Sequence, residues 1–345
     1  MKNPKITAML LAIACFSILT GCARTPLALH GRLSVQGSNL VDSHGNKVQL
    51  RGFSTQHIAK TDMYVTPRYL KELREDFSSD VIRVAMYTTK RDYGYLLTPE
   101  LKNVVKRVVR DATKEGLYAI IDWHILADRN PMENIEASKV FFDDMSKEFS
   151  SYKNVFYEIC NEPNGDDVTW KEQIKPYAEV ITAVIRKNDP KGIILVGTPR
   201  WSSQPQDAAA DPLTDPATMY VFHFYPDFAT ESARQNVALA QETIPLFCTE
   251  FGTSESTGTG KIYPAEIARW MDFLDERGIS WCNWNLSALQ ERSAALQMSF
   301  KAGTAMRLAD RLSPSGELIR YYMRRGRVSE DKLVKPAFID EEIHQ

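Results

Sequence analysis

The sequence predicts an α/β fold, a (β/α)8 TIM barrel with an N-terminal β-hairpin. The first ground is alternation: from Gln49 onward, eight short apolar runs alternate with amphipathic stretches of helical period. Strands separated by helices build a parallel sheet, and eight of each close into a barrel more readily than they lie in an open doubly wound sheet. The second ground is placement. Six of the eight runs carry Arg, His, Asn-Glu, His/Tyr, Glu or Trp near their ends, where such a barrel assembles its chemistry. The third is that no Gly-x-Gly-x-x-Gly follows the first run, which weakens a nucleotide-binding open sheet.

In chain order, Lys2 and Lys5 precede an almost unbroken apolar run from Ala8 to Leu19. A basic start and an apolar core of that length read as a secretory signal, too short for an ordinary membrane span. The expected boundaries are a signal peptide over 1–21, a tether over 22–31, one barrel domain over 32–326 and a charged tail over 327–345. Leu19-Thr20-Gly21-Cys22 resembles a bacterial lipobox. The resemblance implies export across the inner membrane, cleavage before Cys22 and a diacylglycerol anchor on its sulfur; plain secretion is the alternative.

Arg32–Asp42 and Lys47–Phe53 read as two strands joined by the turn-forming Ser43-His44-Gly45-Asn46. Barrel strands are expected at Gln49–Thr55, Asp80–Tyr87, Leu117–His124, Val155–Asn161, Gly192–Thr198, Met219–Tyr225, Pro245–Gly252 and Ile279–Leu286. Helical patterns occupy 66–77, 99–115, 133–150, 168–188, 204–210, 230–241, 262–277 and 315–325. Thr98-Pro99-Glu100 reads as an N-cap with proline in the first turn, and Ser313-Pro314-Ser315 as a stop followed by a new start.

With 345 residues, 43% of them hydrophobic, the chain can bury the core of one large domain. A net charge of −2 gives no electrostatic case for nucleic acid or an anionic membrane surface. Cys15 falls in the signal; Cys160, Cys248 and Cys282 lie inside apolar runs, as small core residues rather than disulfides. No Cys-x-x-Cys or His-rich spacing suggests a metal site.

The chemistry gathers at strand ends. Val155-Phe156-Tyr157-Glu158-Ile159-Cys160 ends in Asn161-Glu162-Pro163, and Pro245-Leu246-Phe247-Cys248-Thr249 ends in Glu250-Phe251-Gly252. A carboxyl at the mouth of an apolar strand is poorly hydrated, so its pKa should rise toward that of a general acid. A lone Asn-Glu-Pro is more often a helix cap or loop acid; two strand-terminal glutamates are what a paired-carboxylate hydrolase needs. Arg83, inside Val81-Ile82-Arg83-Val84-Ala85-Met86-Tyr87, is costly to bury without a carboxylate partner. His124 closes one run, and His223 and Tyr225, two residues apart, share a strand face.

These pieces, with Ile279-Ser280-Trp281-Cys282-Asn283-Trp284-Asn285-Leu286-Ser287, resemble glycoside hydrolase family 5 of clan A, in its bacterial endo-β-1,4-glucanase branch. The resemblance spans Leu50 to Gly316. It implies a retaining mechanism with Glu162 as acid/base and Glu250 as nucleophile. Arg83 and Tyr225 would hold Glu250 ionised, Asn161 would bind a sugar 2-hydroxyl, and His124 and His223 would position substrate and tune Glu162. Trp284, Trp201 and Tyr87 would bind substrate. No cofactor is implied; the expected partners are a β-glucan and, through Cys22, a membrane, with the chain a monomer.

Two departures bear on substrate. Gln56-His57-Ile58-Ala59-Lys60 replaces an aromatic-bearing segment of close relatives, and Leu289 in Ser287-Ala288-Leu289-Gln290-Glu291 stands where they carry a sugar-contacting lysine. Losing a ring and an ammonium removes ~1–3 kcal/mol of binding. β-Mannanase, xyloglucanase and mixed-linkage glucanase activities stay open, because the resemblance implies a catalytic set that clan A shares across substrates. A non-catalytic surface glycan-binding lipoprotein is disfavoured, since neither glutamate nor Arg83 is lost.

Overall fold

The eight apolar runs fold as parallel strands. The computed structural model describes residues 24–91, 93–228 and 230–339, so the expected signal peptide and Cys22 lie outside the described residues. A hairpin of β1 (Ser34–Gln36) and β2 (Asn39–Val41) precedes the barrel. The barrel strands are β3 (Arg51–Ser54), β4 (Val81–Tyr87), β5 (Tyr118–His124), β6 (Val155–Glu158), β7 (Ile193–Gly197), β8 (Thr218–Phe224), β9 (Leu246–Phe251) and β10 (Ser280–Trp284). They pair in chain order, and β10 closes onto β3.

Strand alternation sorts the side chains. Val81, Tyr118, Ile120, Phe156, Leu195 and Phe247 point inward and join Leu33, Leu40, Val48 and Leu50 in one apolar cluster, so the hairpin plugs the N-terminal mouth. Their neighbours on the strands pack outward against helices such as Pro67–Phe77, Leu101–Lys114, Ile135–Phe149 and Pro264–Arg277. Each such side chain fully buried contributes ~1.5–3 kcal/mol over leaving it exposed. Filling the lower half leaves the upper half for polar groups.

Four local features differ from expectation. The hairpin turns at Gly37-Ser38, with Gly37 at φ 59°, because a two-residue loop needs a left-handed residue that glycine supplies without strain. Ser43–Asn46 also reverses the chain as expected, but its second arm is a single antiparallel bridge, Val41 to Lys47, rather than a strand, and the Asp42 carboxylate ties the turn by accepting from the backbone N–H groups of His44 and Asn46 (2.8 and 2.9 Å). The helix expected from 99 starts at Leu101, since Thr98-Pro99 forms a separate turn. Trp170–Ile174 is a π turn feeding the helix Lys175–Arg186, whose first turn holds Pro176. The new start expected at Ser313-Pro314-Ser315 is present as the helix Pro314–Arg324, which Ser313 caps by accepting from Gly316 N–H (3.1 Å).

Pro26–His30, within the stretch read as a tether, forms a short helix, and Gly31 beyond it accepts the Tyr118 hydroxyl (2.7 Å). In the tail, Arg327 donates to Asp80 (2.6 Å) and Ile339 is buried. Among the described residues no helix is long and apolar enough to cross a membrane.

One irregularity positions the site. Val221 and His223 of β8 face Phe247 and Glu250, and Trp281 and Asn283 of β10 face Cys248 and Phe251, so β9 carries an extra residue on both sides. Such a bulge breaks the two-residue alternation. Phe247 points into the barrel and Cys248 outward; the consecutive Thr249 and Glu250 then both point inward, as their bonds to β6 and β4 residues show.

Candidate active site

Arg83 is the centre of the upper barrel, wholly buried on β4. Its Nε and Nη2 donate to the two oxygens of Glu158 (2.7 and 2.9 Å), and Nη2 also lies 3.0 Å from Asp122. Nη1 donates to Glu250 (2.9 Å) and Nη2 to the Asn161 side-chain oxygen (2.5 Å). Three buried carboxylates thus share one guanidinium, whose planar fork suits several at once. Their attraction outweighs burial and drives the Arg83 pKa well up, so it stays charged.

Glu250 lies near the end of β9 and accepts a second bond from the Tyr225 hydroxyl, just beyond β8 (2.7 Å). Gly252 makes that approach possible: a Cβ there would sit 2.3 Å from the Tyr225 ring. Glu162 follows β6 and meets Nδ1 of His223 (2.9 Å). Nε2 of His223 meets the Thr249 hydroxyl (2.9 Å), which in turn donates to Glu158 (2.8 Å). His124, at the end of β5, pairs through Nδ1 with Asp122 (2.7 Å), and the Asn161 amide donates to the Ile125 carbonyl (3.0 Å).

Burial, the ionised Glu250, and Asp122 and Glu158 beyond it push the Glu162 pKa well above the carboxylate range, against Arg83. Burial raises Glu250 as well, but Arg83 and the Tyr225 hydroxyl favour its charged form. Burial, then Arg83, lowers His124 to about 3 and pulls His223 well down, so both imidazoles are neutral near pH 7. Burial raises Asp122 and Glu158 to about 7 against Arg83. The site pushes Glu162 well up while Arg83 and Tyr225 oppose the rise at Glu250, a difference in the direction that acid/base work requires.

Glu162, His223 and Glu250 each present an atom within 4.8 Å of the others, the single such cluster of possible metal ligands among the described residues. Within this cluster His223 meets Glu162, and Glu250 accepts from Tyr225 and Arg83.

Of the expected substrate residues, Trp284 closes β10 with its Nε1 donating to Glu291 (2.8 Å). A stack of rings runs from His57 through Tyr87 and His124 to Trp284, with centroids 4.5, 4.2 and 5.4 Å apart. Tyr87 is therefore a member of a packed stack rather than an open platform. Trp201 is 49% exposed on a loop where Arg200, Trp201 and Ser202 all have φ near 55° (53°, 56° and 54°). Left-handed backbone at consecutive non-glycine residues is strained. Trp201 N–H donates to the Pro163 carbonyl (3.0 Å) and Ser202 Oγ to the Asn161 carbonyl (2.6 Å), tying this loop to the Asn-Glu-Pro segment.

Glu158, Asp122, Thr249 and Glu291 were not singled out from the sequence. Glu158 had a visible signal, as the one charge inside an apolar run at even spacing from Phe156, and Arg83 demanded an acid. Thr249 had none, because alternation puts it opposite Glu250.

The family model for cellulase (glycosyl hydrolase family 5) matches residues 41–290. Endoglucanase 5 of Pectobacterium carotovorum subsp. carotovorum is 42% identical over 322 residues, 93% of this chain and 62% of that protein. Endoglucanase A of Evansella cellulosilytica is 44% identical over 281 residues, 81% of this chain and 57% of its own length. This chain thus spans about six tenths of those relatives. The catalytic domain of the Thermobifida fusca endoglucanase superposes with a TM-score of 0.81 at 36% identity, covering 87% of this chain and 100% of that one. A variant of that domain, solved in complex with cellotetraose, matches with the same TM-score at 37% identity and the same coverage. On the fold, the paired glutamates and this match over most of its length, the chain belongs to glycosyl hydrolase family 5, the cellulase family.

Proposed function

We propose that the protein is a retaining endo-β-1,4-glucanase that cleaves internal bonds of cellulose or a related β-glucan by double displacement. The observation that carries this is the approach of Glu162 and Glu250, with carboxylate oxygens within 4.8 Å. Retaining glycosidases hold the pair ~5–5.5 Å apart, whereas inverting ones need ~6.5–9.5 Å to admit a water between.

In the first step Glu250 attacks the anomeric carbon, and Glu162 gives its proton to the departing glycosidic oxygen. In the second, Glu162 takes a proton from water, which displaces Glu250 and restores both groups. Arg83 and Tyr225 keep Glu250 charged for attack. Asn161, oriented by Arg83 and the Ile125 carbonyl, supports a sugar hydroxyl whose bonding strengthens as charge develops. Trp284 floors the cleaved sugar, and the exposed Trp201 offers a stacking face toward the leaving group.

Reducing-sugar release from carboxymethyl-cellulose, barley β-glucan, xyloglucan, galactomannan and xylan tests the reading. Activity on the β-glucans should fall by roughly four to six orders of magnitude in Glu250→Gln; an active Glu250→Gln enzyme refutes the assignment. A second reading, a decorated or mixed-linkage glucan as preferred substrate, is favoured by two departures from the family pattern. Gln56–Lys60 follows β3 in place of the aromatic segment that the resemblance implies, and Leu289 stands where it implies a sugar-contacting lysine. A higher rate on barley β-glucan or xyloglucan than on carboxymethyl-cellulose supports it.

The lipobox-like segment supports export and anchoring of the chain through a lipid on Cys22. Cys22→Ala should move the protein from the membrane fraction to the soluble one. Unchanged membrane association would exclude that anchor.

A further inference from the structure

We propose that Thr249 is a positioning residue that fixes the tautomer of His223 and thereby keeps the proton on Glu162. This rests on Glu162 being the acid/base of the reaction proposed above. A directional chain of hydrogen bonds carries the inference. Both Glu158 oxygens accept from Arg83, so Oε1 faces Thr249 as an acceptor and the Thr249 hydroxyl donates to it (2.8 Å). With its one proton committed, Thr249 Oγ1 is an acceptor toward His223 Nε2 (2.9 Å). His223 therefore carries its proton on Nε2 and presents a bare lone pair at Nδ1. The partner 2.9 Å from that lone pair is a Glu162 oxygen, which must supply the hydrogen.

The consequence differs between the two chemical steps. Before glycosylation, Nδ1 accepts from the Glu162 carboxylic acid without taking its proton, which turns out of that bond to the departing oxygen. Once that proton has gone to the leaving oxygen, Glu162 faces a lone pair rather than an N–H. Nothing from His223 then stabilises the carboxylate, and it stays basic enough to take the proton of the incoming water. The opposite tautomer would donate to Glu162 and weaken it in both roles. The β9 bulge permits this arrangement, because it brings Thr249 inward beside Glu250.

The charged and titratable groups facing Glu162 and His223 are Arg83 and Tyr87 of β4, Asp122 and His124 of β5, Glu158 of β6, Tyr225 beyond β8 and Glu250 of β9. None of these is the partner of Nε2, whose hydrogen bond is to Thr249. The pH response of Glu162 to a change at Thr249 therefore isolates the tautomer.

The experiment measures kcat/KM against pH on a soluble β-glucan for wild type, Thr249→Val and Thr249→Ser. Valine keeps the shape and removes the hydroxyl, freeing His223 to move its proton to Nδ1 and stabilise ionised Glu162. The alkaline limb should move to lower pH by about one unit in Thr249→Val and return in Thr249→Ser. A folded Thr249→Val enzyme with an unmoved limb overturns the proposal. Nitrogen-15 chemical shifts of the wild-type His223 ring give a reading independent of either variant folding: an Nε2–H tautomer supports the chain, and Nδ1–H overturns it. Glu162→Gln separates the two levels. If it loses unactivated glycans but keeps aryl glycosides with good leaving groups, Glu162 stands as the acid, and a failed Thr249 test then removes only the tautomer. If it still cleaves unactivated glycans, the acid/base assignment falls as well.

Discussion

Replacing Arg83 by lysine probes the electrostatic centre of the site at constant formal charge. The guanidinium contacts Glu158 twice, Asp122, Asn161, Glu250 and Ser54, at 2.5 to 3.2 Å. An ammonium has three donors and no fork, so it can serve only part of this set. Asp122 and Glu158 lie wholly buried against Arg83, and a shorter-reaching lysine will stay with them. Glu250 then loses a charge-assisted hydrogen bond of ~1.5–3 kcal/mol. That corresponds to a loss of roughly 10- to 150-fold in kcat/KM where Glu250 titrates. The sign follows from the bond: Arg83 favours the charged form of Glu250, so without it Glu250 protonates at higher pH. The acid limb of kcat/KM should move upward by about 1–2 pH units, and the deficit should shrink as pH rises. Urea unfolding at neutral pH should show a loss approaching the ~3–5 kcal/mol typical of a broken buried pair. An Arg83→Lys enzyme with an unmoved acid limb and activity within about threefold of wild type would refute this account of Glu250.

Two further outcomes follow from the geometry. Trp201→Ala removes an exposed ring held on a strained loop; KM for long oligosaccharides should rise by roughly 2- to 10-fold with kcat for an aryl glycoside unchanged, and an unchanged KM would exclude stacking there. His124, depressed to about 3 from 6.5, stays neutral in the fold while the unfolded chain takes up a proton. Its contribution to stability is therefore complete above about pH 6.5 and is lost as pH falls toward 3. Urea unfolding across that window should show a shallower pH dependence for His124→Asn than for wild type, and identical slopes would mean that His124 is not buried neutral.

The barrel was legible because its physics is local. A strand buried on both faces must be apolar along its length, and the helix that follows must present one apolar stripe, so each of the eight units announces itself within about 30 residues. The N-terminal hairpin was misplaced for the same reason. Gly37-Ser38 and Ser43–Asn46 both offer turn chemistry and the chain turns at both, so the stretch read as one strand over Arg32–Asp42 is itself the hairpin, with Leu33 and Leu40 packed into the barrel mouth.

The site divides along the same line. Glu162, Glu250, His124, His223 and Tyr225 could be read because each ends or nearly ends a strand, where a polar residue after an apolar run has no structural reason to be. Arg83 could be read as needing an acid, but the choice of acids is a property of barrel closure. Asp122 and Glu158 stand opposite each other in the register of β5 with β6, two residues beyond Ile120, the register partner of Arg83 on β4, and the guanidinium reaches both. Thr249 lay beyond such reasoning altogether. Two-residue alternation assigns it to the outer face if Glu250 points inward, and what overrules alternation is one extra residue accommodated in β9 between β8 and β10. A bulge has no composition of its own here: Cys248-Thr249-Glu250 reads as ordinary strand. Yet it places Glu250 and Thr249, whose hydroxyl meets the His223 imidazole beside Glu162, side by side on one strand. Any change restoring regular pairing in β9 should therefore disturb both glutamates together, although it would touch neither side chain.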